Sequence, residues 1–338
     1  MKKLLIFLIP ILIWSCDSDK DKAGRFFIKG NEALNSQEYG EAINYYSEAI
    51  ALDQSYKEAF NNRGVAFYQA GRYTEAINDY THILVQIDEQ YADALRNRAN
   101  AYIADKRFDF ALEDLQRLEN IYPDSSYVHF TKGIAFHESK QYDSAVEAFG
   151  LAFQLNPKDA EALVNQANSY FMLKEIDKAE SLLREAEALN ASEPNIYNTR
   201  GMIQLELGDY ESAKTSFDFA LKMDVGNPYY FNNRGYLYLL MNDLDAAEED
   251  IRRAIIGAPE NGWAYRNRGI LFFKKERFDD AIRNFEVANR MDTNIPLLHF
   301  YWAQTLLAQG QTTEACDQIA IEVESNDDVD AFKNAHCK

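Results

Sequence analysis

The chain has 338 residues, 47% hydrophobic and 26% charged, a balance that excludes a disordered polymer, and its 15 glycines and 7 prolines exclude collagen-like and linker-like classes. Acidic residues number 54 against 35 lysines and arginines, and the resulting charge of −19 repels a phosphate backbone and excludes sequence-independent nucleic-acid binding. The 21 tyrosines and 21 phenylalanines need a structural home.

At the N-terminus, Lys2 and Lys3 precede an apolar run, Leu4–Trp14, that is 11 residues long. Spanning a bilayer takes about 20. A charged start, a short apolar core and the small Ser15 describe a secretory signal over residues 1–15. Ser15 precedes Cys16 in the context Ile-Trp-Ser-Cys, which resembles a bacterial lipobox. That resemblance implies a lipid on Cys16, with the protein anchored in the bacterial cell envelope at the periplasmic face or the outer-membrane surface. An ordinary signal peptide with an incidental cysteine is the alternative. Residues 16–22 read as a polar tether without secondary-structure signals, and six extended residues reach about 20 Å.

From Ala23 onward the chain repeats itself. Alanine recurs at Ala42, Ala76, Ala111, Ala145, Ala179, Ala213, Ala247, Ala281 and Ala315, in steps of 34 with one step of 35. Twelve residues before each stands a small residue: Gly30, Gly64, Ala99, Gly133, Ala167, Gly201, Gly235, Gly269 and Ala303. Four residues after each alanine comes a large apolar one: Tyr46, Tyr80, Leu115, Phe149, Leu183, Phe217, Ile251, Phe285 and Ile319. Two amphipathic stretches of about 13 residues flank a turn such as Ala70-Gly71-Arg72 in each repeat. This pattern resembles the tetratricopeptide repeat. The resemblance implies an all-α, right-handed superhelical solenoid of about nine helix-turn-helix repeats over residues 23–325, with residues 326–338 as a C-terminal capping helix. The small residues then sit where helices cross, and aromatics before each second helix (Tyr39, Tyr73, Phe108, Tyr142, Tyr210, Phe278) are expected to fill gaps between stacked repeats. No repeat can bury its own apolar face, so stacking supplies the stability.

The chain contains no G-x-x-x-x-G-K-[ST], G-x-G-x-x-G, H-E-x-x-H or G-x-S-x-G. His129 and His299 occupy a repeat slot that elsewhere holds Phe60, Phe231 or Tyr265, which reads as packing. The sequence therefore predicts no catalytic residue, no metal site and no cofactor. With Cys16 lipidated, Cys316 and Cys337 remain as a possible disulfide, against the alternative of two reduced, packed thiols.

In the tetratricopeptide family the first helix of each repeat lines a concave surface that holds extended peptides or partner elements. Two residues before the small residue the chain reads Asn62, Asn97, Thr131, Asn165, Thr199, Asn233 and Asn267. An asparagine amide both donates and accepts, so such a row could pair with a peptide backbone whatever its side chains. The row resembles the asparagine ladder in the repeats of O-linked N-acetylglucosamine transferases; bonding within the helix pair is the alternative. Asn61, Arg96, Asn198, Asn232, Arg266, Tyr229 and Trp263 complete the candidate groove, with Glu58, Asp93 and Glu161 in early repeats. One step nearer the small residue, Arg63, Arg98 and Arg234 each precede an aspartate by sixteen residues, Asp79, Asp114 and Asp250, which predicts helix-to-helix ion pairs. A carboxylate clamp is not supported, because Phe27, Asp93 and Asn97 stand where cations belong. The expectation is a non-catalytic, membrane-anchored scaffold that binds a protein or peptide partner. Its alternative is a glycan-binding lipoprotein using the groove aromatics. If the row is open, replacing Asn97, Asn165 and Asn233 by alanine should weaken partner binding and leave melting unchanged.

Overall fold

The computed structural model describes residues 18–323 and 326–337. Cys16 and the rest of the proposed signal segment lie outside these residues. The chain divides into two compact bodies, one ending at Asn156 and one starting at Pro157. The first holds α1 (Asp19–Asn35), α2 (Tyr39–Leu52), α3 (Lys57–Gln69), α4 (Tyr73–His82), α5 (Ala92–Ala104), α6 (Phe108–Ile121), α7 (Ser126–Glu138) and α8 (Tyr142–Leu155). The second holds α9 (Ala160–Met172), α10 (Ile176–Leu189), α11 (Pro194–Glu206), α12 (Tyr210–Met223), α13 (Pro228–Leu240), α14 (Leu244–Gly257), α15 (Gly262–Lys274), α16 (Phe278–Met291), α17 (Leu298–Ala308), α18 (Thr312–Ala320) and α19 (Asp327–His336). Each odd-numbered helix from α1 to α17 packs on the even-numbered helix that follows it, and within each body the hairpins stack in chain order. Among the described residues there is no strand.

A size match built into each hairpin explains the small residues. A Cβ placed on Gly30, Gly64, Gly133, Gly201 or Gly269 would come within 2.3–2.7 Å of the ring sixteen residues on, that of Tyr46, Tyr80, Phe149, Phe217 or Phe285. All five rings are essentially solvent-free. Where the sixteenth residue is the slimmer Leu115, Leu183 or Ile319, alanine stands at the crossing instead, as Ala99, Ala167 and Ala303. Gly235 opposite Ile251 is the one looser pair, its added Cβ meeting Ile251 at 3.0 Å. Close packing at a fixed helix separation requires this trade of volume between facing positions.

Every hairpin turns through a left-handed residue at the same place: Gln37, Gly71, Lys106, Lys140, Lys174, Gly208, Asn242, Glu276 and Gly310. Such a residue ends the first helix, and glycine adopts it without steric cost. The single 35-residue step is absorbed locally. Residues Ile83–Ile87 continue α4 as a π-helical turn, the usual way a helix accommodates one extra residue.

One expectation is corrected and one is refined. Residues 16–22 are not wholly a tether, since α1 starts at Asp19 behind a capping box in which the Ser18 hydroxyl accepts from the Asp21 N–H and the Asp21 carboxylate accepts from the Ser18 N–H. The S-x-x-D signal was legible, because the two side chains satisfy helix-end donors reciprocally. The aromatics expected just before the second helices are the first residues of those helices, and Tyr210 packs on a cluster that includes Leu237 of the next repeat, as expected. Tyr73 packs on Tyr68, Tyr142 on His137 and Phe278 on Phe273, closing the turn inside their own hairpins.

The last helix covers apolar surface. Val329 and Phe332 of α19 are buried with Phe300, Leu306 and Ile319 of α17 and α18. Cys316 and Cys337 form a disulfide, Cα to Cα 5.4 Å, that ties α19 to α18.

Candidate partner-binding surface

The asparagines form two hydrogen-bonded chains, one in each body. In the first body Asn97 Nδ2 donates to Asn61 Oδ1 (3.0 Å), Asn61 Nδ2 to Asn62 Oδ1 (3.2 Å), and Asn62 Nδ2 to Asn31 Oδ1 (3.0 Å). The Tyr46 hydroxyl donates to the same Asn31 oxygen at 2.7 Å, and burial pushes its pKa up to about 12, so it remains a donor. In the second body Arg266 donates through Nε and Nη2 to Asn267 Oδ1 (3.1 and 2.7 Å). Asn267 Nδ2 then donates to Asn232 Oδ1 (2.9 Å), Asn232 Nδ2 to Asn233 Oδ1 (3.3 Å), and Asn233 Nδ2 to Asn198 Oδ1 (3.0 Å). The Asn97–Asn61, Asn62–Asn31, Asn267–Asn232 and Asn233–Asn198 links cross from one repeat to the next. The Asn61–Asn62, Asn232–Asn233 and Arg266–Asn267 links join neighbours on one helix, and the bonds polarise one another.

The open row expected from the sequence is thereby corrected. Asn61, Thr131, Thr199, Asn232, Arg266 and Asn267 are buried, so they cannot meet a partner without the stack opening. Thr131 donates to the Tyr127 carbonyl of its own helix at 2.8 Å, and Asn165 Nδ2 to the Glu161 carbonyl at 2.9 Å. Asn62, Asn97, Asn165, Asn198 and Asn233 are only half-buried. Losing Asn97 or Asn233 leaves a neighbour's acceptor unpaired, so the triple alanine variant is expected to melt early.

The three arginine–aspartate pairs are bidentate. Arg63 grips Asp79 (2.8 and 2.7 Å), Arg98 grips Asp114 (2.7 and 2.7 Å) and Arg234 grips Asp250 (2.7 and 2.9 Å). Sequence reading missed their third partner. Each Nη1 reaches the second helix of the preceding repeat, at Ser47 (3.0 Å), Thr81 (2.9 Å) and Asp218 (2.6 Å). Applying the sixteen-residue offset backward as well as forward would have found Ser47 and Asp218. Sequence reading also missed Glu322, whose carboxylate accepts from the N–H groups of Leu297 (3.1 Å) and Phe300 (2.9 Å) and so caps α17.

The exposed aromatics of the candidate groove lie at the second residue of the first helices. Tyr229 is 55% and Trp263 42% exposed, on α13 and α15. The Trp263 ring lies 4.9 Å from the Arg266 guanidinium, which Tyr236 covers at 4.7 Å, and burial draws that arginine's pKa down. Glu58 and Glu161 hold the same position on α3 and α9 and are exposed. Glu161 is still partly desolvated by its neighbours, and this together with the nearby Asp159 and Glu193 raises its pKa. On α5 and α7 the position holds Asp93, ion-paired with the exposed Arg96, and the exposed Tyr127.

The histidines sit in packing. His129 is buried with Nε2 3.1 Å from the Pro123 carbonyl, and His299 is buried with Nδ1 2.9 Å from Gln318 Oε1. Among the described residues there is no group of His, Cys, Asp and Glu that could hold a metal, and no helix is long and apolar enough to cross a membrane.

Hairpins of fixed length that stack through a small-for-large exchange define a helical repeat protein. Two tetratricopeptide repeat family models match, one at residues 29–92 and 198–262 and the other at 67–130 and 136–203, together more than half of the chain. The chain belongs to the tetratricopeptide repeat family, whose fold is a protein-interaction scaffold. It is 31% identical over 143 residues to the small glutamine-rich tetratricopeptide repeat-containing protein 2 of Mycosarcoma maydis, covering 42% of this chain and 31% of that protein. It is 35% identical over 60 residues to an uncharacterized protein of Methanocaldococcus jannaschii, covering 18% of this chain and 70% of that one. The chain thus spans about a third of the length of the first of these relatives. Among solved structures, a chain of the APC/C hetero-tetramer Cut9–Hcn1 superposes with a TM-score of 0.57 at 16% identity, over 95% of this chain and 78% of that one. A tetratricopeptide repeat protein from Parabacteroides merdae does so with 0.50 at 17%, over 84% and 99%. Identities this low show the fold alone.

Proposed function

We propose that this protein is a non-catalytic scaffold that holds a segment of a partner protein against its first-helix face, with Tyr229 and Trp263 as principal contacts, and that a lipid on Cys16 tethers it to the bacterial envelope. One observation carries the binding reading: two large aromatic side chains stay exposed at the same position of successive repeats, whereas the asparagines around them are spent on internal bonds. Rigid aromatic side chains supply contact area at low entropic cost and anchor most protein interfaces. The tether reading is supported by the lysine–apolar–serine–cysteine order at residues 2–16.

The test is capture from a detergent extract of native envelopes. The Tyr229→Ala/Trp263→Ala variant should lose a stoichiometric protein that the wild type retains, at unchanged helicity. Retention of that protein would sink the reading, and capture of a polysaccharide in its place would make the protein a glycan binder. Incorporation of a labelled fatty acid that Cys16→Ala abolishes tests the tether.

A further inference from the structure

A cavity of about 340 Å³ opens in the first body, between the starts of α5 and α7 and above the end of α6. Its floor is apolar, made by the buried Leu118 and Val128. Tyr122 and Tyr127 stand at its sides, 51% and 40% exposed. Asn100 fixes the second of these, since its Nδ2 donates to the Tyr127 hydroxyl at 2.9 Å and its Oδ1 accepts from that hydroxyl at 3.2 Å. The Asp93–Arg96 ion pair lies at the mouth, both side chains about half exposed. The Arg96 guanidinium is 5.9 Å from the centre of the Tyr127 ring.

We propose that this cavity receives a lysine or arginine side chain of the partner, with its stem on Leu118 and Val128 and its charge against the tyrosine rings and Asp93. The inference rests on the scaffold reading and names the chemistry of the partner. Four observations carry it. Long cationic side chains lay an apolar stem on apolar surface and keep the charged head at its edge, which matches a floor and a rim of these kinds. Tyrosine faces attract cations. The body itself already satisfies this combination nearby, where Lys57 lies 4.6 Å from the Tyr91 ring while pairing with Asp88 at 2.9 Å. Finally, a chain of charge −19 disfavours an acidic segment, and Asp93 and Glu58 add negative charge to this part of the face; after burial, both raise the pKa of the nearby Tyr91 phenol, against an opposing contribution from Lys57. Arg96 is the internal competitor, because it pairs with Asp93 and must yield it to the incoming cation.

That competition gives the test a sign that a merely structural role would not produce. The probe is a fluorescein-labelled peptide of repeating Gly-Ser-Arg, measured by anisotropy on the full-length protein in detergent at about 150 mM salt, where distant surface charges are screened. Gly-Ser-Gln and Gly-Ser-Glu peptides are its controls. The arginine peptide should bind and the other two should not. Asp93→Asn and Tyr122→Ala should each weaken binding by about 5-fold, as a desolvated cation–π or ion-pair contact implies. Arg96→Ala should tighten it by about 3-fold or more, since it frees Asp93. Circular dichroism checks that each variant folds, and Tyr122 is exposed enough that its truncation leaves the core intact. Equal binding of the arginine and glutamine peptides overturns the proposal, as does a loss of affinity in Arg96→Ala. If the envelope partner is still captured through Tyr229 and Trp263 while the arginine peptide shows no preference, the scaffold stands and this inference alone falls.

Discussion

Gly269 offers the sharpest test of how the hairpins are held. A Cβ added there would lie 2.3 Å from Cε1 of Phe285, 2.6 Å from Cδ1 and 2.8 Å from Cζ. That ring is fully buried, so it has nowhere to swing. Overpacking of a closed core costs about 1–3 kcal/mol, and three such short contacts argue for the upper end. Replacing a mid-helix glycine by alanine returns about 0.5–1 kcal/mol of backbone entropy. The expected net loss for Gly269→Ala is therefore about 2 kcal/mol. Gly24→Ala serves as the control, because nothing lies within 4 Å of its added Cβ, and it should stabilise by about 0.5–1 kcal/mol. In Gly269→Ala/Phe285→Leu the ring is gone, and a double-mutant cycle should return a coupling of at least about 1 kcal/mol. Urea unfolding followed at 222 nm, with hydrogen exchange in α15 and α16 to localise the effect, reads these differences. Arrays unfold by neighbouring repeats rather than all at once, so the transition that contains these helices is the relevant one. Equal stability of the Gly269→Ala and Gly24→Ala proteins, or a coupling near zero, would refute the size-match argument.

Lys106 and Lys140 occupy left-handed turn positions that cost a side chain about 1–2 kcal/mol, so Lys106→Gly and Lys140→Gly should each raise the urea midpoint, by a net of about 0.5–1 kcal/mol. Asn267→Ala should destabilise by about 2–4 kcal/mol in the same assay, because it strands Asn232 and leaves the buried Arg266 short of its acceptor. Asp79→Ala should cost about 3–5 kcal/mol by leaving the Arg63 charge without its carboxylate in a largely buried place, and Asp79→Ala/Arg63→Met should recover part of it. Cys337→Ser should speed hydrogen exchange in α19 while leaving α1 to α8 unchanged, since the disulfide closes a separation of 21 residues and a loop of that size is worth about 3 kcal/mol.

The repeat was legible because its information is local. A crossing needs a small residue at a fixed offset from a large one, and a helix of known rise turns that need into a sequence period. Gly30, Ala42 and Tyr46 are thus visible in order along the chain, and so is the extra residue that becomes the π-helical turn at Ile83–Ile87. The ion pairs at Arg63, Arg98 and Arg234 were legible for the same reason, since sixteen residues bring one helix back alongside the other.

Stacking decided the rest. An asparagine on a first helix can face a partner or the next repeat, and both choices have the same sequence. Only the separation of neighbouring hairpins brings Asn97 to Asn61 and Asn267 to Asn232 at hydrogen-bond distance, which converts an expected contact row into an internal tie. The exposure of Tyr229 and Trp263 was likewise settled in three dimensions. Identical rings at other positions, such as Tyr46 and Tyr80, are buried because a glycine across the crossing makes room for them. The sequence by itself determined the hairpin and its period, because a helix couples only near neighbours. Which polar groups and which rings meet solvent belonged to the tertiary structure, because it alone sets the distance between one repeat and the next.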